Sequence, residues 1–362
     1  MAGARRRRSG LSAARLRLAV AVALLAGAPA WAQSTATLQA FGRVAYSLAP
    51  RHVAVVVNEL DAASVAAGEY YRERRGLPAE NVVPVRIEGS PQRLTRAAFE
   101  RLKADIEARL PPDVQVLALA WTTPFAVECN GITAALTLGF DAELCANGCA
   151  PGRPSPYFDS RSVRPYDDHG MRLAMLLPVP SPAAAQALVD RGVAADGSMP
   201  AGSAYLVVTS DPHRNTRARF FPRSQRVASP RLDVVTLRAE YIRDRRDVMF
   251  YLVGAADVPH LDTLAFLPGA LADHLTSFGG VLSGGGQMSI LRWLDAGATA
   301  SYGTVSEPCN HWQKFPHPQV LLRHYLSGAS AVEAYWKSVA WPAQGVFVGE
   351  PLASPYRRAP PQ

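Results

Sequence analysis

Residues 268–315 concentrate groups that could do chemistry: His274, Ser277, Cys309, Glu307 and His311, with a glycine-rich run between them. A cysteine attacks as its thiolate, so it needs a base nearby and a third group to orient that base. Cys309 is the candidate nucleophile, His274 the general base, and Glu307 or Asp273 the orienting carboxylate. His260 and His311 are alternative bases. The glycines at 279–286, among them Gly279, Gly280 and Gly285, could turn backbone N–H groups toward an oxyanion or a substrate. A serine nucleophile would be Ser277 or Ser283. However, Val281 stands where a G-x-S-x-G elbow needs its first glycine, so that motif is absent.

Other chemistries fit less well. Asp257, His260, His274, His311 and His317 lack the i, i+4 histidine pair of a zinc helix, and no metal is expected. Ser283-Gly284-Gly285-Gly286, opening a predicted helix, could hold an anion on its N–H groups. The run lacks the lysine of a phosphate loop, and G-x-G-x-x-G is missing, so no cofactor is expected. Cys129, Cys145, Cys149 and Cys309 make an even count, which in an oxidising compartment suggests disulfides with three possible connectivities. Cys145 and Cys149 bracket the turn Ala146-Asn147-Gly148 and could close a small loop. Cys129 and Cys309 would then form a second bridge or remain free thiols, and only a free Cys309 could attack.

These groups need elements to position them. Val53–Val57, Val82–Ile87 and Val114–Trp121 read as strands. Helices are expected after Asp61 and over Thr95–Leu110. The strand runs are almost continuously apolar, the signature of parallel strands covered on both faces. After an interruption come strands at Leu173–Leu177, Ala204–Thr209, Val248–Val253, 268–275 and Ala298–Val305. Helices are expected at Pro182–Arg191, Leu232–Arg243, Gln287–Asp295, Gln319–Leu326 and Ala331–Ser338. This alternation predicts an α/β fold with a mainly parallel sheet. Residues 33–121 and 172–353 would form its two parts and 354–362 a tail. Residues 122–171, rich in Pro, Gly, Ser and Asp, would be a cysteine-bearing insertion. Ligands in such sheets sit beyond the carboxyl ends of the strands. That places Asn58, Thr122, Asp211 with His213 and Arg214, Asp257 with His260, and the 274–311 groups along one edge. Asp211, Asp257, His260 and His311 are candidate binding residues there, beside Ser277 and the glycines.

The chain's destination is read from its first 32 residues. Arg5–Arg8 form a basic cluster, an apolar run follows from Leu18 to Ala30, and Ala30-Trp31-Ala32 is a small-x-small cleavage signal. An exported protein, periplasmic or extracellular, is expected. The 362 residues carry a net charge of +8, and losing six arginines with the signal leaves +2. No basic stripe with interleaved aromatics remains, so nucleic acid is not an expected partner. No later apolar run is long enough to span a bilayer.

Four runs carry a resemblance to a family of exported bacterial proteins with no assigned activity: VDRGVAADG (189–197), ADHLTSFGG (272–280), SILRWLDAGATASYGTVSEPC (289–309) and EAYWKSVAWPAQGVFVGEPLA (333–353). The segment 248–353 also remotely resembles gingipain-like cysteine peptidases. VMFYLVGA (248–255), GALADHLTSFGG (269–280), DAGATASYGT (295–304) and VGEPL (348–352) stand where that pattern has its strands and closing signature. This resemblance implies a caspase-like fold. Gly254-Ala255 replaces the expected His-Gly, and Thr276-Ser277 lies near the expected cysteine.

Two functions follow as expectations. One is a hydrolase of peptide or amide bonds built on Cys309, His274 and Glu307. The other is a non-catalytic, peptidase-like protein that binds a peptide or cell-envelope polymer in the same cleft.

Overall fold

The computed structural model describes Tyr46, residues 48–228 and residues 231–358; the expected export signal at 1–32 lies outside the described residues. The first half contributes β1 (Val53–Asn58), β2 (Val82–Val85), β3 (Arg93–Leu94), β4 (Val116–Leu119), β5 (Ala126–Val127), β6 (Asn130–Gly131) and β7 (Leu173–Leu176). The second contributes β8 (Gly202–Val208), β9 (Gln225–Val227), β10 (Leu232–Arg238), β11 (Val248–Val253), β12 (Phe266–His274), β13 (Ala300–Thr304) and β14 (Gly345–Gly349). Eleven of these form one sheet in the order β2-β1-β4-β7-β14-β13-β12-β11-β8-β10-β9. The sheet is mostly parallel; β9 runs antiparallel to β10, and β14 antiparallel to β13. Every residue of β1, β4, β7, β11, β13 and β14 is buried, which requires cover on both faces. The expected α/β architecture is the one found.

Local chemistry sets the helices. The helix Ala62–Arg75 starts where Asp61 accepts the N–H of Ala63 and ends on Gly76 at φ 67°. Its Gly68 lies over β1, where a Cβ would fall 2.1 Å from the Val57 side chain. Thr95 caps Arg96–Glu107 and Ser181 caps Pro182–Ala195, each accepting an N–H three residues on. Pro318–Leu326 packs against Ala331–Ser338, whose Trp336 stacks on Phe347 of β14 with ring centroids 4.3 Å apart.

Three expectations are corrected. Leu232–Arg243 is not a helix: Leu232–Arg238 is strand β10. Leu232 and Val234 are buried while Asp233 and Val235 are half-exposed, a period of two that suits the β-branched run Val234-Val235-Thr236. The helix expected from Gln287 begins only at Leu291. Met288 N–H donates to Ala256 O and Ile290 N–H to Gly279 O, so these residues bind neighbouring loops instead of a helical turn. Strand β14 was not anticipated. Its end residue Gly349 sits at φ 137°, with a notional Cβ 2.5 Å from Ala300, so glycine is required there and masks the β pattern.

Residues 122–171 are firmly tied to the rest. They hold β5 and β6, paired beside β3 in a small second sheet, and the helix Ile132–Leu138, buried against β7 and β14. Two buried lysines clamp the loops. Lys337 Nζ donates to Ser160 O (2.8 Å) and Ser162 O (2.6 Å), and Lys314 Nζ donates to Gly148 O (2.6 Å). Burial pushes both lysines down to about 8.

Candidate functional site

The loops after β8, β11, β12 and β13 meet at the carboxyl edge of the sheet. After β8, Asn215 Nδ2 donates to Thr209 O (2.7 Å) and Asp211 O (2.6 Å), folding 209–215 into a tight turn. Asp211 Oδ1 accepts the N–H groups of His213 and Arg214, and its Oδ2 lies 2.5 Å from Arg214 Nη1. Burial raises the Asp211 carboxyl, but Arg214 and these amides outweigh it and hold the group below its usual value.

After β11 the chain passes beneath that turn. Thr209 Oγ1 donates to Gly254 O at 2.6 Å. A Cβ on Gly254 would lie 2.1 Å from Arg214 O, backbone that cannot swing away. Position 254 therefore has no room for a histidine side chain.

After β12, Arg214 Nε donates to Thr276 Oγ1 (3.1 Å), which donates to Gln287 Oε1 (2.9 Å). The same Gln287 oxygen accepts Phe278 N–H at 2.8 Å, and Phe278 itself is exposed. Ser277 is half-exposed, and its carbonyl accepts from Thr304 Oγ1 at 2.9 Å. Beneath the edge Arg217 lies 2.5 Å from Asp273 Oδ1, both about 1% exposed. Arg217 Nη2 also donates to Val253 O (3.1 Å), so this one guanidinium ties strand ends together. Burial raises the Asp273 carboxyl against the pull of Arg217.

The expected Cys309/His274/Glu307 set is not an assembled catalytic unit. Cys309 is bonded to Cys149, and Cys129 to Cys145; no described cysteine is free. Of the three connectivities left open, the one found is neither the Cys145–Cys149 loop that the turn suggested nor a Cys129–Cys309 bridge. Cys129 and Cys145 flank the helix Ile132–Leu138, where Asn130 Nδ2 donates to Asp141 O (2.9 Å) and returns the chain toward Cys129. A bridged sulfur carries no thiolate. His274 is buried, with Nε2 donating to Met288 O (3.0 Å) and Nδ1 accepting from Trp293 Nε1 (2.9 Å). Both nitrogens are occupied, no lone pair is left for a proton, and burial lowers the ring to about 4. Glu307 orients no imidazole; its Oε1 accepts Cys309 N–H at 2.8 Å, holding that residue at φ 56°.

The remaining candidates divide by environment. Gly279 and Gly280 are buried. Gly280 N–H donates to Thr304 O (2.9 Å), and its notional Cβ falls 2.6 Å from Gly303 O, so this glycine serves close packing against β13. Gly285 and its neighbours Gly284 and Gly286 are exposed, but they do not open a helix. Asp257 and His260 are exposed, with His260 packed 4.7 Å from the ring of Tyr241. His311 Nε2 donates to Cys149 O at 2.9 Å, tying it to the disulfide. Among the described residues no group of His, Cys, Asp and Glu is disposed to hold a metal, and no helix is long and apolar enough to cross a membrane.

Gln287 and Arg217 escaped the sequence reading as site residues. Asn310 Nδ2 lies 3.3 Å from His213 Nδ1, linking the loops after β13 and β8. A glutamine closing a glycine run was the one available signal, since a buried arginine looks like any other in sequence. Residues from the first half reach the same edge. Gln92 Nε2 donates to Ser283 Oγ (2.9 Å), Arg93 Nη2 to Val305 O (2.7 Å), and Ser306 Oγ to Cys129 O (2.6 Å).

The edge thus presents amides, a hydroxyl, a guanidinium–carboxylate pair and one exposed phenyl ring, with the sulfur and the buried imidazole withdrawn. Such groups can hold a polar extended ligand by hydrogen bonds and stacking. No protein-family model and no curated protein matches the chain. It is similar to the solved complex of the pro- and mature domains of RgpB from Porphyromonas gingivalis. That match has 9% identity and a TM-score of 0.42, over 84% of this chain and 79% of that one. It is also similar to a solved protease at 13% identity and a TM-score of 0.42, over 87% of this chain and 80% of that one.

Proposed function

We propose that this is an exported, peptidase-like protein that binds a peptide or cell-envelope polymer at the carboxyl edge of β8, β11, β12 and β13 without Cys/His hydrolysis. One observation carries the reading: the sulfur of Cys309 is spent in a disulfide while both nitrogens of His274 are spent in hydrogen bonds. The two disulfides fit an oxidising, extracytoplasmic setting. The proposed ligand groups are Ser277, Phe278, Arg214 with Asp211, His213 and the exposed glycines at 284–286. Asp257, His260 and His311 flank them. The ligand would lie along the loops and take hydrogen bonds from backbone N–H groups, as extended chains do.

The test uses the full-length oxidised protein against a random peptide library and purified cell-envelope polymer. Binding without turnover is expected, with no labelling by a cysteine-directed covalent probe. Phe278→Ala and Arg214→Gln should weaken binding with the fold intact. Peptide cleavage that disappears in Cys309→Ala would overturn the proposal.

A further inference from the structure

A different edge of the sheet carries a charge that the proposed site does not use. Residues 218–246 hold eight arginines against three acidic residues, a net +5, whereas residues 33–362 as a whole carry +2. The rest of the chain is therefore net acidic, and the positive charge is concentrated where β10 and β9 end the sheet. Arg223, Arg231, Arg238 and Arg246 are exposed and make no ion pair among the described residues. Arg231 sits at the amino end of this edge, where Gly202 N–H donates to Arg231 O, while Arg246 stands at the same end but farther in, before β11, as Ser203 N–H donating to Asp247 O shows. Arg223 and Arg238 sit at the carboxyl end, where Thr236 N–H donates to Ser224 Oγ. The seven residues of β10 separate the two ends, about 23 Å at ~3.3 Å per residue.

Between the ends runs β9, the last strand of the sheet, with no strand beyond it among the described residues. One or two charges suffice to protect such an edge from aggregation. Three unpaired arginines spread along one edge go further, raising a positive potential that draws an extended anionic segment. Arg226, at the centre, is already held by Asp233 through two bonds of 2.6 and 2.8 Å, a pattern a carboxylate from outside could repeat at its neighbours. The large exposed apolar side chains, Leu60, Val65 and Phe278, all lie elsewhere, so this edge has nothing to insert into a membrane.

We infer that the β9 edge docks an extended acidic segment of a partner polypeptide, which adds as a strand beside β9 while its carboxylates meet Arg223, Arg231 and Arg238. The unpaired backbone of β9 supplies the affinity common to strand addition, and the arginines select acidic side chains.

Fluorescence anisotropy on the full-length protein tests this with a labelled twelve-residue peptide alternating Glu and Thr. Its Gln/Thr counterpart, an N-methylated Glu/Thr peptide, polyphosphate and anionic vesicles are the comparisons. The Glu/Thr peptide should bind, weakening at least roughly tenfold as salt screens the charges. Exchanging Arg223, Arg231 and Arg238 for Gln should weaken binding at least tenfold with the urea midpoint unchanged, whereas Arg101→Gln with Arg109→Gln should change nothing. N-methylation, which removes the strand-pairing N–H groups, should weaken binding by a similar factor. Equal binding of the Gln/Thr or N-methylated peptide would overturn the proposal. So would an unaffected three-arginine variant, or binding of polyphosphate or vesicles alone.

Discussion

The indole N–H of Trp293 donates to Nδ1 of His274 at 2.9 Å, while Nε2 of the same ring donates to Met288 O at 3.0 Å. The two bonds together fix a neutral imidazole in one tautomer, inside a core that lowers it to about 4. The residue best placed by type to be a catalytic base is instead a cross-link between a strand end, a loop and a helix.

That cross-link predicts an acid sensitivity. The unfolded chain protonates this histidine below about 6.5 and the folded chain only near 4. Its contribution is therefore complete above 6.5 and falls as pH drops from 6.5 toward 4, by about 3 kcal/mol in all. His317, also lowered to about 4 by burial, acts in the same sense. Asp273 and Glu333, raised by burial, act in the opposite one. The His274 share is read as the difference in slope between the wild type and His274→Gln in urea unfolding from pH 7 to 4.5. Equal slopes would refute the buried, neutral ring.

The Arg217–Asp273 pair predicts a non-additive response. Arg217→Met leaves a carboxylate in the core without its partner and should cost roughly 3–5 kcal/mol. The double variant Arg217→Met/Asp273→Leu should recover most of that loss. Urea midpoints for both singles and the double decide it; additive losses would mean that the two side chains act independently.

Removing the Cys149–Cys309 bridge should destabilise by roughly 2–4 kcal/mol, because it closes a loop across 160 positions of sequence. Oxidised protein should resist alkylation until reductant is added. Prompt labelling of Cys309 without reductant would reopen the thiolate chemistry set aside above.

Gly280→Ala should cost several kcal/mol, about the range of severe backbone clashes. The added methyl meets the backbone of Gly303, which cannot rotate away. Gly285→Ala should be almost silent, its nearest neighbour being the Val281 side chain at 3.3 Å in an exposed loop. Circular dichroism melts of the two variants separate a packing glycine from a merely exposed one.

The α/β class was readable because the buried strands are written in nearly unbroken β-branched and aliphatic runs. Val248–Val253 and Ala331–Ser338 are found with the bounds the pattern predicted. Leu232–Arg238 was misread as helix because the residues after it continue an amphipathic look that the turn at Glu240 ends. The site was legible only as a place. Strand ends located the edge, but whether Cys309 met a histidine or another cysteine depends on which of four sulfurs the 122–171 segment brings home. Spacing alone does not determine that. The arrangement around Gly254 was unreadable for a related reason: the clash comes from Arg214 O, forty positions away and invisible to local pattern.

Strand β14 gives the molecule an assembly order. It lies between β7 and β13, so backbone pairing of β2-β1-β4-β7 with the remaining six strands runs through residues 345–349. The two sets of strands stay unjoined in the sheet until residues 345–349 have been made. Until then the apolar edges of β7 and β13, wholly buried in the finished fold, stand open to any other strand that could pair with them.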